Sequence, residues 1–139
     1  MELVAQLIVQ RKRLPLIFIK DLKEGTYFQA GDQSLLCELL HPDREKVPLN
    51  MGFSLAHAIV KPGQRTVVHK LLTSAEIFFI LEGEGIIHID QELTPIRPGQ
   101  VVYVPPNSKQ FIQNTGHLDL TFLCLVSPQW KKEDEVIYS

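Results

Sequence analysis

Short apolar runs separated by glycine and proline fill the chain from residue 51 onwards. The turn signals lie at residues 61–63, 82–85, 97–99, 105–107 and 114–116. The apolar runs between them predict strands at residues 52–60, 66–71, 76–81, 85–90, 93–97, 101–104, 110–114 and 118–126. Many short strands without a helix-length pattern between them are typical of an antiparallel sandwich or barrel. The pattern therefore predicts an all-β fold.

The N-terminal part of the chain adds two apolar runs of strand length, at residues 14–19 and 34–40. Residues 41–50 are polar and contain two prolines, which predicts a loop. Residues 1–13 form a short amphipathic segment, either helical or frayed, and residues 14–139 form one predicted domain. The tail after residue 127 is polar with one tryptophan, and we expect it to wrap over the outer surface.

Composition narrows the range of partners. The 139 residues carry 14 Lys and Arg against 16 Asp and Glu, a net charge of −2, which gives no basis for predicting a nucleic-acid or acidic-lipid partner. An acidic residue at position 2 and a basic cluster after the apolar start are the reverse of a secretory signal, so we expect a cytoplasmic protein. Cys37 and Cys124 each lie in an apolar run and are expected to be reduced and buried.

Two stretches combine turn glycines with polar residues at fixed spacing. Residues 63–83 begin with Gly63 in a Pro-Gly turn, carry His69 and Glu76 seven residues apart, and end at Gly83. Residues 99–114 begin with another Pro-Gly turn, and the positions that carry their pattern are Gly99, Pro105, Gln110 and Asn114.

These stretches resemble the two signature motifs of the cupin superfamily. Gly63, His69, Glu76 and Gly83 match the first motif in spacing, and Gly99, Pro105 and Asn114 match the second. The departures from the motifs are Leu71 for a second histidine, Asn107 for a glycine and Gln110 for a histidine. The resemblance implies a double-stranded β-helix, or jelly-roll barrel, and it implies dimers, which are frequent in this superfamily.

Strand alternation predicts which side chains face the barrel interior, because alternate residues of a strand share one face. His69 and Leu71 share a face, and the resemblance implies that Glu76 and Gln110 point to the same interior. Leu55, His57 and Ile59 share a face of the preceding strand. We expect that face to point inward, which would place His57 near His69.

The leading interpretation of these polar residues is a divalent metal site formed by His69, Glu76 and Gln110, with His57 as a second imidazole. Nitrogen and oxygen ligands suit Fe, Mn, Co, Ni or Zn. The alternative is a metal-free barrel in which these side chains hydrogen-bond one another, because buried polar groups need partners.

Around this centre we expect an apolar substrate pocket lined by Leu71, Phe78, Ile112 and Phe122. The leading functional hypothesis is a metal-binding cupin that acts on a small organic molecule as an oxygenase, lyase or isomerase. The alternative hypothesis is a non-catalytic module that binds or senses a small molecule without metal. A homodimer is also predicted, because the apolar runs at residues 14–19 and 34–40 must bury their faces and edges.

Overall fold

A computed structural model describes residues 17–138, so the predicted segment at residues 1–13 lies outside the described residues. Two single-turn 3₁₀ segments, Leu22–Glu24 and Lys132–Asp134, accompany the strands. The strands are β1 (Phe28–Gln29), β2 (Leu35–Leu40), β3 (Ser54–Val60), β4 (His69–Leu71), β5 (Ala75–Glu82), β6 (Gly85–Ile89), β7 (Glu92–Ile96), β8 (Val101–Val104), β9 (Gln110–Asn114), β10 (Leu120–Ser127) and β11 (Glu135–Ile137). Within this range, no helix has the length and apolar character needed to cross a bilayer.

The strands form two sheets, with the order β1-β2-β3-β10-β5-β8 in one and β11-β4-β9-β6-β7 in the other. All named strand pairs are antiparallel. The core lies between the sheets, because its buried side chains come from both of them: Ala58, Phe78 and Phe122 from the first, Ile87 and Ile112 from the second. This double-sheet arrangement confirms the predicted all-β jelly roll.

The eight strands predicted from residue 51 onwards, and the strand at residues 34–40, are all present within a few residues of their predicted ends. The motif turns hold them in register. Gly83 has a φ of +85°, and a Cβ on it would lie 2.5 Å from the carbonyl oxygen of Asp119, so only glycine fits. Asn107 replaces the motif glycine with a φ of 63°, a left-handed conformation that asparagine tolerates better than most residues.

Two expectations about the chain ends were wrong. Residues 17–19 of the predicted strand at 14–19 are not in a strand, and Ile17 and Ile19 are exposed. Residues 14–16 lie outside the described range. An apolar run predicts burial without specifying a pairing partner, so it does not by itself make a strand. The tail does not lie on the outer surface alone, because β11 pairs with β4 and extends the second sheet.

The first sheet presents an apolar outer face, which consists of Ile77, Phe79, Val101, Tyr103 and Leu123. Register places Phe79 opposite both Val101 and Leu123, and Ile77 opposite Tyr103, so these side chains share one face. Val101 and Tyr103 are 63% and 58% exposed. Adjacent exposed apolar side chains of this kind mark an association surface.

We propose that a second copy of the chain covers this outer face. β2 pairs with β3 along most of its length and with β1 only at Leu35 and Leu36, so its own sheet satisfies part of its edge. Light scattering coupled to size exclusion should give the mass of a dimer at micromolar concentration. Val101→Glu should weaken the dimer about tenfold or more, because it places a charge in an apolar contact.

Leu118→Glu is the matched control, because Leu118 is 75% exposed and lies outside the outer face. It should leave the mass unchanged. A single-chain mass for the unaltered protein, or equal weakening by the two variants, would rule out this interface.

Candidate functional site

Three polar side chains meet inside the barrel. His69 lies at the start of β4, Glu76 near the start of β5 and Gln110 at the start of β9. They are 5%, 9% and 1% exposed, respectively. His69 and Gln110 are directly opposite each other in the second sheet, and Glu76 approaches from the first. Alternation explains the arrangement, since the residues two positions on, Leu71 and Phe78 among them, are buried apolar residues of the interior.

The His69 ring is fixed by its own strand. Its Nδ1 donates a hydrogen bond of 2.8 Å to the carbonyl oxygen of Val67. In the neutral ring, Nε2 therefore carries the lone pair and acts as an acceptor. This Nε2 lies 3.9 Å from Oδ2 of Asp32, close enough for an ion pair when the ring is protonated.

Glu76 and Gln110 form a hydrogen-bonded pair between the two sheets. Gln110 Nε2 donates to Glu76 Oε1 over 2.8 Å. Burial raises the pKa of Glu76 to about 7, although nearby His69 and the Gln110 hydrogen bond favour its charged form. Glu76 is therefore partly protonated at neutral pH. Gln110 Oε1 is buried and has no hydrogen-bond partner among the described residues.

Two further carboxyl groups reach the site from outside the motifs. Asp32 lies in the turn after β1, and its Oδ1 accepts hydrogen bonds from the backbone N–H and hydroxyl of Ser34. Glu135 begins β11, and its Oε2 accepts a 3.2 Å hydrogen bond from Nε1 of Trp130. Burial raises the pKa of Glu135, while the Trp130 hydrogen bond opposes the shift. Sequence analysis missed both groups. The Asp-Gln-Ser turn was visible in the sequence, but nothing there placed it or the tail at the barrel.

A cavity of about 290 Å³ opens beside these polar groups. The four predicted pocket residues, Leu71, Phe78, Ile112 and Phe122, all line it, together with Asp32 and Glu135. Most of the wall is apolar, and the polar groups converge at one region. This combination is common in small-molecule sites.

His57 does not join this cluster, and the inward orientation expected for it was wrong. Ala56, Ala58 and Val60 of β3 face the core. His57 alternates with them along the strand, so it points to the opposite side of the sheet. There its Nδ1 shares a 2.7 Å hydrogen bond with the hydroxyl of Tyr27. Burial lowers the pKa of His57 in this position.

Residues 56–126, about half of the chain, match the family model of the cupin domain. The chain belongs to the cupin family. An uncharacterised protein of Methanocaldococcus jannaschii is 41% identical over 106 residues, which cover 76% of this chain and 82% of that protein. An oxalate-binding protein of Thermotoga maritima is 32% identical over 89 residues, which cover 64% of this chain and 74% of that protein.

Solved structures agree with this assignment. The crystal structure of a predicted oxalate decarboxylase from Thermotoga maritima superposes on this cupin with a TM-score of 0.68 and 26% identity. The alignment covers 80% of this chain and 99% of that one. The shared barrel is thus established at the level of both sequence and structure.

The residues of this cupin do not fit the metal site that its superfamily implies. Leu71 and Gln110 stand at two of the usual imidazole positions, and His57 lies on the other side of the sheet and cannot replace either. Among residues 17–138, no group of three or more His, Cys, Asp or Glu side chains is arranged to hold a metal ion. The Gln110 amide nitrogen also occupies one Glu76 oxygen. Only two of the usual ligands remain, His69 and Glu76.

The raised pKa of Glu76 predicts an unusual dependence of stability on pH. The folded state binds a proton at Glu76 more tightly than the unfolded state, whose pKa is near 4.5. Protonation of Glu76 therefore contributes on the order of 3 kcal/mol to the free energy of unfolding. This contribution is fully present below about pH 4.5 and is lost as the pH rises through about 7.

Glu76→Gln should remove this pH dependence from the free energy of unfolding, measured by denaturant titration between about pH 5 and about pH 8. Glu92→Gln, at an exposed position, is the matched control and should keep it. Parallel pH profiles for the unaltered protein and Glu76→Gln would show that Glu76 has no raised pKa.

Proposed function

We propose that this cupin binds a small organic molecule in its barrel and does so without a resident metal ion. The observation that carries the proposal is the mainly apolar cavity of about 290 Å³, which is lined by Gln110, a residue whose buried Oε1 has no hydrogen-bond partner among the described residues. A buried acceptor left without a hydrogen bond costs stability, and a bound molecule with a hydrogen-bond donor would satisfy it.

The number and the hydrogen bonding of the remaining metal ligands, His69 and Glu76, support the metal-free form of the proposal. Two of the usual ligands are fewer than the three or four that hold catalytic metals, and within residues 17–138 neither Asp32 nor Glu135 is arranged with them to hold a metal ion. Glu76 also accepts a hydrogen bond from Gln110, which a metal ion at the same oxygen would have to displace. The Glu76–Gln110 pair provides instead the mutual hydrogen bonding that a metal-free barrel requires.

A catalytic role of the lyase or isomerase type is the second candidate, and one pair of groups favours it. Glu76 can donate a proton near neutral pH, and the His69 ring in its neutral form presents a lone pair at Nε2. A proton donor and a proton acceptor beside one cavity are the groups needed to move a proton within a bound molecule. Such chemistry needs no metal ion.

Metal analysis tests the proposal directly. Protein purified without chelator or nickel resin should contain far less than one first-row metal ion per chain. Supplementation with Fe, Mn, Co, Ni or Zn should not raise the content, because two ligands compete poorly with hydration.

His69→Ala and His57→Ala form a matched pair for this measurement, since one histidine lies in the barrel and the other on the opposite side of the sheet. Both should leave the low metal content unchanged. A content near one ion per chain that His69→Ala abolishes and His57→Ala retains would overturn the metal-free proposal.

A further inference from the structure

The polar region of the cavity presents mainly hydrogen-bond acceptors. Four carboxyl groups line the cavity, those of Asp32, Glu38, Glu76 and Glu135. The basic side chains among the described lining residues are His69 and Arg44. Because His69 Nδ1 is engaged with a backbone carbonyl, the neutral ring offers only the lone pair of Nε2.

Arg44 does not neutralise this acidic region. Its guanidinium donates a 2.8 Å hydrogen bond to Glu38, another lining residue, and lies 5.4 Å from the centre of the Trp130 ring. The charge of Arg44 is thus already paired. Asp32 faces His69 Nε2 at 3.9 Å, which pairs with it only when the ring is protonated, and Glu135 accepts a hydrogen bond from the neutral Trp130 indole. With His69 neutral, an anionic group entering the cavity would be repelled.

An independent observation shows that a donor is missing from the cavity wall. Gln110 is 1% exposed, and its Oε1 has no hydrogen-bond partner. While Glu76 is ionised it can only accept, so the 2.8 Å hydrogen bond holds the amide with Nε2 towards Glu76 and leaves Oε1 without a donor. In that state, the group that completes this site donates a hydrogen bond to Oε1.

The apolar part of the cavity is suited to a cation as well. Phe78 and Phe122 pack edge to face, with ring centres 5.3 Å apart, and both line the cavity with Trp130. Aromatic faces attract ammonium groups, and because Arg44 already lies over Trp130, Phe78 and Phe122 are the rings of this trio left for a ligand. Carboxylates beside aromatic rings favour an organic cation over a neutral or acidic molecule.

We infer that the barrel binds a small organic ammonium compound, whose N–H groups donate to Gln110 Oε1, Asp32 and Glu135 and whose apolar part contacts the aromatic wall. This inference rests on the proposed metal-free binding function and adds the chemical class of the ligand. It separates this chain from its Thermotoga maritima relative, which is named for binding oxalate, a dianion.

A trio of probes with one shape and three charges tests the inference. Benzylamine, benzyl alcohol and benzoate are added at equal millimolar concentration and ionic strength to protein whose metal content has been measured. Benzylamine should raise the melting temperature, benzyl alcohol should raise it less, and benzoate and oxalate should leave it unchanged.

Charge-removing variants then locate the site. Asp32→Asn and Glu135→Gln should each raise the dissociation constant of benzylamine about tenfold or more, because hydrogen bonds between charged groups are lost. Asparagine keeps the Oδ1 acceptor that Ser34 uses, so Asp32→Asn should remain folded. Glu133→Gln is the matched control, since Glu133 is exposed, does not line the cavity and lies two residues from Glu135.

The outcomes separate this inference from the function on which it rests. Stabilisation by benzoate or oxalate in metal-free protein, equal stabilisation by the alcohol and the amine, or no response to benzylamine would each overturn the ammonium class. The metal-free binding function would still stand in the first two cases. A bound metal ion removed by His69→Ala would instead contradict the proposed function itself.

Discussion

The hydrogen bond from Gln110 Nε2 to Glu76 Oε1 crosses the barrel from one sheet to the other. It joins two buried polar side chains in a core that is otherwise mainly aliphatic and aromatic. Loss of either partner would leave a buried polar group unsatisfied, at a cost of about 1–3 kcal/mol. The orientation of Gln110 and the partial protonation of Glu76 both depend on this contact, as does the unpartnered acceptor at the cavity wall.

The departures from the cupin motifs affect the fold and the site differently. Asn107 keeps the left-handed turn that a glycine would otherwise provide, so the barrel is unchanged there. Leu71 is 3% exposed and joins the apolar wall, where an imidazole would add a polar group. Gln110 replaces a metal-binding nitrogen with an amide that pairs with Glu76. The same barrel is thereby retained while the chemistry at its centre changes.

Sequence reasoning predicted the features that depend on residues close together in the chain. Turn residues and alternation predicted the strands from residue 51 onwards, and the resemblance to the cupin motifs predicted that Glu76 and Gln110 share the interior with His69. The prediction failed for His57 because both faces of β3 are largely apolar. A shift of one residue in the predicted register exchanges the inward face for the outward one. The small residues Ala56 and Ala58 were the available signal for the inward face, since they leave room in a crowded core.

Asp32 and Glu135 could not be predicted for a different reason. Each is far in sequence from the motifs, and β11 brings Glu135 to the cavity only by pairing with β4 across the fold. No periodicity within the tail indicates that contact. These two carboxyl groups nevertheless determine the charge of the cavity, so the most specific part of the proposed site is also the part that local sequence patterns do not encode.

Anomalous X-ray diffraction from crystals of the chelator-free protein tests the central claim most directly. The account predicts an intact hydrogen bond between Gln110 and Glu76 and no anomalous peak for a first-row metal beside His69. A strong peak within bonding distance of His69 Nε2 and Glu76, with the Gln110–Glu76 hydrogen bond broken, would contradict it.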